Sequence, residues 1–135
     1  MRPLKILILE DNPFQLMVLH QMLNACRIFD VLTASSVESA RSSLAVRGAI
    51  DIAICDLYLE QSSGLDLINE MAQQGNASAV IIQSCARPEV LETAACMARS
   101  KGLKVLGCLP KPVSLCDLDQ LIQAYRPSAY EKCGA

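Results

Sequence analysis

Short runs of apolar residues recur along the chain, and each run ends at a polar or turn-forming residue. Five such runs, rich in β-favouring residues, lie at 4–9, 30–33, 51–55, 79–83 and 104–109. Runs of this length between turn signals are typical of strands. Three of the runs are apolar at consecutive positions, which is typical of strands covered on both faces in a parallel sheet.

Between these runs, apolar residues recur at helical spacing, and the helical segments open with helix-start signals. The predicted starts are Asn12-Pro13, a capping box of Ser35 with Glu38, the segment SGLDLINEMAQQG, Pro88 and Ser114. Gly48 and Gly75 predict the ends of the second and third helices. The apolar residues of the fifth helix fall on one face, made of Leu115, Leu118, Leu121, Ile122 and Tyr125. Five strand–helix units favour a single doubly wound α/β domain with right-handed crossovers.

Polar residues with useful chemistry follow four of the five predicted strands. In chain order they are Glu10, Asp11, Asp56, Ser84 and Lys111. Ligands of open α/β sheets bind at the carboxyl ends of the strands, which all lie at one edge of a parallel sheet. We therefore expect three carboxylates, one hydroxyl and one ammonium to converge on one cleft.

Three converging carboxylates repel one another unless a cation lies among them. Oxygen ligands without nearby His or Cys favour a hard ion, Mg²⁺ before Ca²⁺. Lys111 is placed to meet an anionic group as a point charge, and Ser84 to donate a hydrogen bond to the same anion. These groups around Asp56 favour phosphoryl transfer to its carboxylate, with Asp56 as the nucleophile.

Each of these residues also has an ordinary structural interpretation. Glu10 can be a solvated strand end, Asp56 the cap of a turn, and Lys111 a surface lysine between two prolines. Their occurrence at successive strand ends favours a site. Other phosphate chemistries lack their motifs, since the chain has no P-loop and no G-x-G-x-x-G after the first strand. Tyr58 occupies the position where a haloacid dehalogenase phosphatase needs its second Asp.

Composition narrows the class of protein. The chain has 135 residues, of which 52% are hydrophobic and 19% charged, with a net charge of −2. This composition favours one globular domain that does not bind nucleic acid directly. No apolar run reaches the roughly 20 residues that span a bilayer, so we expect a cytoplasmic protein. The seven cysteines form no C-x-x-C pair, and His20 has no partner at zinc spacing, which predicts reduced and mostly buried thiols.

The ordered set of Glu10, Asp11, Asp56, Ser84 and Lys111 resembles the receiver domain of two-component response regulators. Gly64, eight residues after Asp56, and the Lys111-Pro112 pair match the same family. The resemblance covers residues 4–126 and implies a flavodoxin-like, doubly wound (βα)5 fold with a five-stranded parallel sheet of order 2-1-3-4-5. It implies a receiver domain at 1–126, with 127–135 as a tail or the start of a linker to an output domain.

The resemblance also implies a regulatory module rather than an enzyme. A sensor histidine kinase or phosphotransfer protein would phosphorylate Asp56 with the help of Mg²⁺. The metal would be held by Glu10, Asp11, Asp56 and the backbone carbonyl of Tyr58. Lys111 and Ser84 would contact the phosphoryl oxygens, and the Lys111–Pro112 peptide would be cis.

Phosphorylation would then reshape the face formed by helix 4, strand 5 and helix 5. The candidate switch or modulating positions are Ala86, Cys108 and Pro112, and Cys108 stands where the family usually has an aromatic residue. A second copy of the chain, joined through the same face, is a further candidate partner. The segments DIAICDL, ILEDNPFQ and KPVSL are similar in sequence to receivers that precede EAL-type cyclic-di-GMP phosphodiesterase domains. An EAL-type output domain, in the same chain or in a separate one, is therefore a candidate partner.

Two alternatives stay open at this point. The first is a pseudo-receiver, which has the same fold but binds proteins without phosphate control, and Cys108 keeps this alternative in view. The second is a small α/β phosphotransferase or phosphatase, which the missing second Asp disfavours.

Overall fold

The computed structural model describes residues 3–60 and 62–126, in which strands and helices alternate without interruption. In chain order the elements are β1 (Lys5–Leu9), α1 (Pro13–Ala25), β2 (Asp30–Ala34), α2 (Val37–Arg47), β3 (Ile50–Asp56), α3 (Gly64–Gln74), β4 (Ala77–Ser84), α4 (Pro88–Ser100), β5 (Lys104–Pro110) and α5 (Leu115–Tyr125). The predicted tail at 127–135 lies outside the described residues.

The five strands form one parallel sheet in the order β2-β1-β3-β4-β5. The order and the direction of the strands confirm the predicted doubly wound fold. Each predicted strand is found, with bounds that differ by at most two residues. β3 lies at the centre of the sheet and is buried along its whole length.

Helices cover both faces of the sheet, so alternate residues of one strand enter different cores. Ile52 and Ile54 pack on the side of α1 and α5, whereas Ala53 and Cys55 pack on the side of α2, α3 and α4. Two-sided burial explains why the central strands are apolar at consecutive positions. In the central strands, polar residues therefore occur only near the amino and carboxyl ends.

Most of the predicted helix boundaries are confirmed. The side chain of Asn12 caps α1 by accepting a hydrogen bond from the Gln15 amide at 3.0 Å, and Pro13 is the first helical residue. Gly48 and Gly75 end α2 and α3 with positive φ angles of 82° and 67°. The predicted cap at Ser35 is wrong.

The residue that caps α2 is Ser36, one position later. Its hydroxyl accepts a hydrogen bond from the Ser39 amide at 3.0 Å. The shift arises because β2 continues through Ala34, which leaves Ser35 as the connection between the strand and the cap. Only Ser35 has a glutamate three residues later, so the capping-box pattern selected the wrong serine, and the length of the strand decides for Ser36.

One prediction of burial fails, and one residue of an apolar helix face is exposed. Leu115 is 43% exposed because it is the first residue of α5, one turn before Leu118, which reaches the core. The six cysteines in the described part of the chain are free, as predicted, but only Cys55 is buried. The exposed thiols follow the end of β4 or belong to the outer surfaces of α4 and α5, and they are Cys85, Cys96 and Cys116.

Candidate functional site

The carboxyl ends of the central strands bring the predicted site residues to one edge of the sheet. β1 pairs with β3 up to Leu9 and Cys55, so that Glu10 and Asp56 directly follow this pair. On the other side of β3, Asp56 lies opposite Gln83 of β4. The edge therefore carries polar side chains on neighbouring strands, above a sheet that is otherwise apolar.

Three of these side chains form an acidic cluster. Carboxylate oxygens of Glu10, Asp11 and Asp56 lie within 4.8 Å of one another, and no other group of three or more potential metal ligands occurs in residues 3–60 and 62–126. Glu10 and Asp56 are only 1% and 2% exposed, whereas Asp11 is partly exposed. The cluster is thus buried on one side and open at Asp11.

Backbone amides orient each carboxylate of the acidic cluster. The amide of Asn12 donates to Glu10 Oε2 at 3.1 Å, and the amide of Tyr58 donates to Asp56 Oδ1 at 3.1 Å. The amide of Glu60 donates to Asp11 Oδ2 at 2.7 Å. Because the donors belong to the loops after β1 and β3, the fold itself fixes where the carboxylates point.

A single ammonium group bridges two members of the acidic cluster. Lys111 Nζ lies 2.6 Å from Glu10 Oε1 and 2.7 Å from Asp56 Oδ2. The Lys111–Pro112 peptide is cis, as predicted. The lysine follows β5 and reaches back across the edge of the sheet, so residues that are 101 and 55 positions apart in the chain meet at one nitrogen.

The pKa values of this bridge reflect burial and an excess of negative charge. Burial raises the pKa of the Asp56 carboxyl, the hydrogen bonds from Lys111 and the Tyr58 amide lower it, and the charge of Glu10 raises it, with a net rise. Burial lowers the pKa of Lys111, but the hydrogen bonds to Asp56 and Glu10, together with the charges of these two carboxylates, outweigh burial and raise the pKa overall. The cluster thus has three carboxylates and one ammonium, and a divalent cation would neutralise the remaining negative charge.

Ser84 lies beside the bridge at the end of β4 and is fully buried. Its hydroxyl accepts a hydrogen bond from the Ala86 amide at 3.2 Å, and its backbone carbonyl accepts one from the Lys111 amide at 3.2 Å. Ala86 therefore orients the Ser84 hydroxyl through its backbone. Pro112 lines a cleft of about 370 Å³ between α1 and the loop after β5, next to Lys111.

Cys108 lies away from the acidic cluster, on β5. Its half-buried thiol donates a hydrogen bond to the carbonyl of Leu91 in α4, with 3.7 Å between sulfur and oxygen. Burial raises the pKa of this thiol. Cys108 therefore links β5 to α4 through this hydrogen bond. It occupies the position at which an aromatic side chain is usual in the family that the sequence resembles. For Tyr58, the ring is exposed and the predicted metal contact of its carbonyl stays a prediction.

Gly64 has a steric reason to be glycine. A Cβ atom built at this position would collide with the backbone carbonyl of Asp56, since the first residue of α3 packs directly on the end of β3. Its amide donates a hydrogen bond to the Leu57 carbonyl at 3.0 Å. Gly64 thereby lets the loop after β3 fold back tightly against the acidic cluster.

Gln83 is a site residue that the sequence pattern did not reveal. It is 1% exposed, and its amide Nε2 donates to Glu10 Oε1 at 3.1 Å. The available signal was one amide side chain at the end of an otherwise apolar strand, in AVIIQS. That signal does not identify a partner 73 residues away in the chain.

Comparison with known proteins decides the family. The model of the response regulator receiver domain matches residues 6–124. The chain belongs to the response regulator receiver domain family. It is 34% identical over 125 residues to the cyclic di-GMP phosphodiesterase RocR of Pseudomonas aeruginosa, and 27% identical over 123 residues to the two-component response regulator ORR21 of Oryza sativa subsp. indica.

These matches cover 93% and 89% of the chain but only 32% and 16% of the two relatives, so the chain spans less than a third of either. A solved response regulator receiver protein from Pseudomonas putida has a TM-score of 0.76 at 25% identity, with 92% of this chain and 98% of that one covered. The predicted resemblance to receivers is thus confirmed, and the similarity to RocR agrees with the predicted link to cyclic-di-GMP signalling. Among the helices in the described ranges, none has both the length and the hydropathy needed to cross a membrane.

Proposed function

We propose that this receiver domain accepts a phosphoryl group on Asp56 and uses it to regulate an output domain. One observation carries the proposal: Lys111 bridges Glu10 and Asp56 within a buried acidic cluster at the carboxyl edge of the sheet. A purely structural charge cluster at this edge would not need three carboxylates around one ammonium. The excess negative charge favours a site that recruits a divalent cation, and the cation would then offset the repulsion of an anionic phosphoryl donor.

The residues of the site suit phosphoryl transfer to a carboxylate. An oxygen of Asp56 attacks the phosphorus atom, a new O–P bond forms, and the bond from phosphorus to the donor's leaving group breaks. In this proposal the ammonium group of Lys111 turns from the carboxylates towards the negative charge of the phosphoryl group and contacts the phosphoryl oxygens. The Ser84 hydroxyl, released from its role as an acceptor for the Ala86 amide, donates to the same oxygens.

Glu10, Asp11 and Asp56 are the residues that would hold Mg²⁺, together with the carbonyl of Tyr58. Their donor set fits this ion, because it consists of oxygens alone and carries more negative charge than Lys111 balances. Bound Mg²⁺ would supply positive charge opposite the phosphoryl oxygens. The protein's own part is to hold the carboxylates in place through the loop amides and to shield Asp56 from bulk water.

The surface around the site suits a protein donor. Phe14, at the start of α1, is 68% exposed beside the cleft that Pro112 and Val113 line. An exposed aromatic residue beside a buried nucleophile is an anchor for a partner. We propose that a sensor histidine kinase or a phosphotransfer protein docks over α1 and the loop after β5 while it delivers its phosphoryl group.

The similarity to RocR supports a cyclic-di-GMP phosphodiesterase of the EAL type, in the same or a separate chain, as the regulated partner. In this proposal the receiver is a regulatory module that assists its own phosphorylation and catalyses no other reaction. Phosphorylation would change the face of α4, β5 and α5, on which a second copy of the chain is a further candidate partner.

A pseudo-receiver without phosphate control is the second candidate, and Cys108 is the observation that favours it. Its thiol already has a partner in the Leu91 carbonyl, and it replaces the aromatic residue whose movement usually follows phosphorylation. Such a protein would keep the fold and the protein-binding face but would not form an acyl phosphate.

Intact-protein mass spectrometry after incubation with acetyl phosphate separates the two candidates. We expect a Mg²⁺-dependent gain of one phosphoryl group in the wild type and none in Asp56→Asn. Asp51→Asn is the matched control, because Asp51 is the other buried aspartate of β3 but lies at the opposite end of the strand. If the wild type and Asp51→Asn both gain a phosphoryl group, the result supports a phosphoacceptor. If the folded wild type gains none, the result supports the pseudo-receiver.

A further inference from the structure

Gln83 is the buried side chain that connects β4 to the acidic cluster. Its Nε2 donates to Glu10 Oε1 at 3.1 Å, and the same oxygen accepts the shorter hydrogen bond from Lys111 Nζ at 2.6 Å. The other oxygen of Glu10 accepts from the Asn12 amide. Glu10 is therefore held from β4, from the loop after β5 and from the loop after β1.

The three donors to Glu10 differ in how freely they can move. The Asn12 amide belongs to the backbone, and Gln83 is fixed by burial in the sheet with 1% exposure. Lys111 divides its ammonium between Glu10 and Asp56. In the function proposed above, Lys111 must turn towards the phosphoryl oxygens, and Oε1 of Glu10 then keeps one fixed donor, which is Gln83.

An amide in this position is not explained by packing. The three residues of β4 that precede it are apolar, and a buried amide costs free energy unless it is hydrogen-bonded. Its chemistry differs from that of the neighbouring core residue Ile81, which lies on the same side of the strand and belongs to the core beneath α1 and α5. The contact with Glu10 is what an apolar side chain cannot provide.

We propose that Gln83 is a positioning residue that fixes the Glu10 carboxylate for Mg²⁺ and frees Lys111 to act on the phosphoryl group. This inference rests on the proposed function, because it assumes that the acidic cluster binds Mg²⁺. Partners that orient metal-binding side chains typically change metal affinity by about 10- to 100-fold when they are removed. Gln83→Met removes the donor and keeps a side chain of similar length.

The test is Mg²⁺ titration by isothermal calorimetry without any phosphoryl donor. We expect Gln83→Met to weaken Mg²⁺ binding by about tenfold relative to the wild type, and Ile81→Met, the matched control, to change it by less than twofold. Thermal unfolding establishes that both variants are folded. An unchanged or tighter Mg²⁺ affinity in folded Gln83→Met would overturn the inference, since Glu10 would then not depend on this amide.

A double-mutant cycle asks whether Gln83 acts through Glu10. In the Glu10→Gln background, Gln83→Met should no longer weaken Mg²⁺ binding, whereas an equal weakening in both backgrounds would contradict a positioning role. Should Gln83→Met not fold, Gln83→Asn gives the same test, because its amide is one methylene too short to reach Glu10. If the wild type itself binds no Mg²⁺, the proposed function and this inference both fail. If the wild type and Gln83→Met bind Mg²⁺ with equal affinity, only the inference fails.

Discussion

At the scale of single residues, the two buried aspartates of β3 show how position decides role. Asp51 is the second residue of the strand and accepts hydrogen bonds from the Lys5 amide at 2.8 Å and the Tyr125 hydroxyl at 3.3 Å. Asp56 ends the strand and shares its ammonium partner with another carboxylate. Partners from the backbone and a tyrosine stabilise Asp51 in place, whereas Asp56 keeps unfavourable charge that a cation can relieve.

This contrast predicts the thermal stability of two variants. Because the folded-state pKa of Asp56 is raised, its negative charge costs stability as the pH rises through that pKa. Asp56→Asn resembles the protonated form, so we expect a higher Tm than that of the wild type at neutral pH without Mg²⁺. Added Mg²⁺ should raise the Tm of the wild type and of Asp51→Asn but not that of Asp56→Asn. Differential scanning fluorimetry checks both points, and a Mg²⁺ response in Asp56→Asn equal to that of the wild type would contradict them.

Gly64 supports a second prediction at the residue scale. Gly64→Ala places a methyl group against the fixed backbone carbonyl of Asp56, whereas Gly107→Ala meets only the side-chain tip of Leu121, which can move. Overpacking costs about 1–3 kcal/mol, and we expect Gly64→Ala at or above the upper end and Gly107→Ala below it. Urea unfolding measures both free energies, and equal values for the two variants would show that the Asp56 carbonyl yields easily.

At the scale of elements, α1 and the loop after β5 line the cleft next to Lys111, which we propose as the approach to Asp56. Two exposed phenylalanines allow this approach to be tested, because they lie at opposite ends of the sheet. Phe14 follows β1 at the carboxyl edge and is 68% exposed, and Phe29 precedes β2 at the amino edge and is 71% exposed. Similar exposure at different distances from Asp56 makes Phe29 a matched control.

We expect Phe14→Ala to slow phosphorylation by a protein donor by about tenfold or more, which corresponds to the loss of an interface anchor. Phosphorylation by acetyl phosphate should stay unchanged, since a small donor needs no docking surface. The rate is measured with the fastest donor in a panel of phosphorylated phosphotransfer domains. Equal slowing by Phe29→Ala, or slowing with acetyl phosphate as well, would speak against docking over α1.

The elements also show which parts of the fold the sequence predicts. Central strands are identifiable because burial on both faces makes them apolar at consecutive positions, and Asn12-Pro13 marks a helix start because both residues suit it locally. The choice of Ser36 over Ser35 as a cap depended on where β2 ends. The exposure of Cys96 and Cys116 depended on which helix surface meets the sheet, and that of Cys85 depended on where β4 ends. A free cysteine can lie in a core or at a surface, so the residue type alone does not predict whether the thiol is buried.

At the scale of the whole molecule, the topology assembles the site from distant parts of the chain. Glu10, Asp56 and Lys111 were predictable as neighbours because parallel strands bring their carboxyl ends to one edge. The contact of Gln83 with Glu10 was not predictable, because it depends on the register between strands and on a rotamer. The sheet thus explains why a buried strand ends on a charged residue: it presents Asp56, with the neighbouring carboxylates of Glu10 and Asp11, at the carboxyl ends of the strands.

The central claim is that Asp56 itself becomes phosphorylated, and mapping the modified residue tests it most directly. Hydride reduction of an aspartyl phosphate releases phosphate and leaves homoserine at that position. After treatment with acetyl phosphate and Mg²⁺, borohydride reduction and peptide mass mapping, we predict homoserine at position 56 and at no other aspartate. Homoserine at a different position, or none in a folded protein that binds Mg²⁺ and has been offered both small and protein donors, would contradict the account.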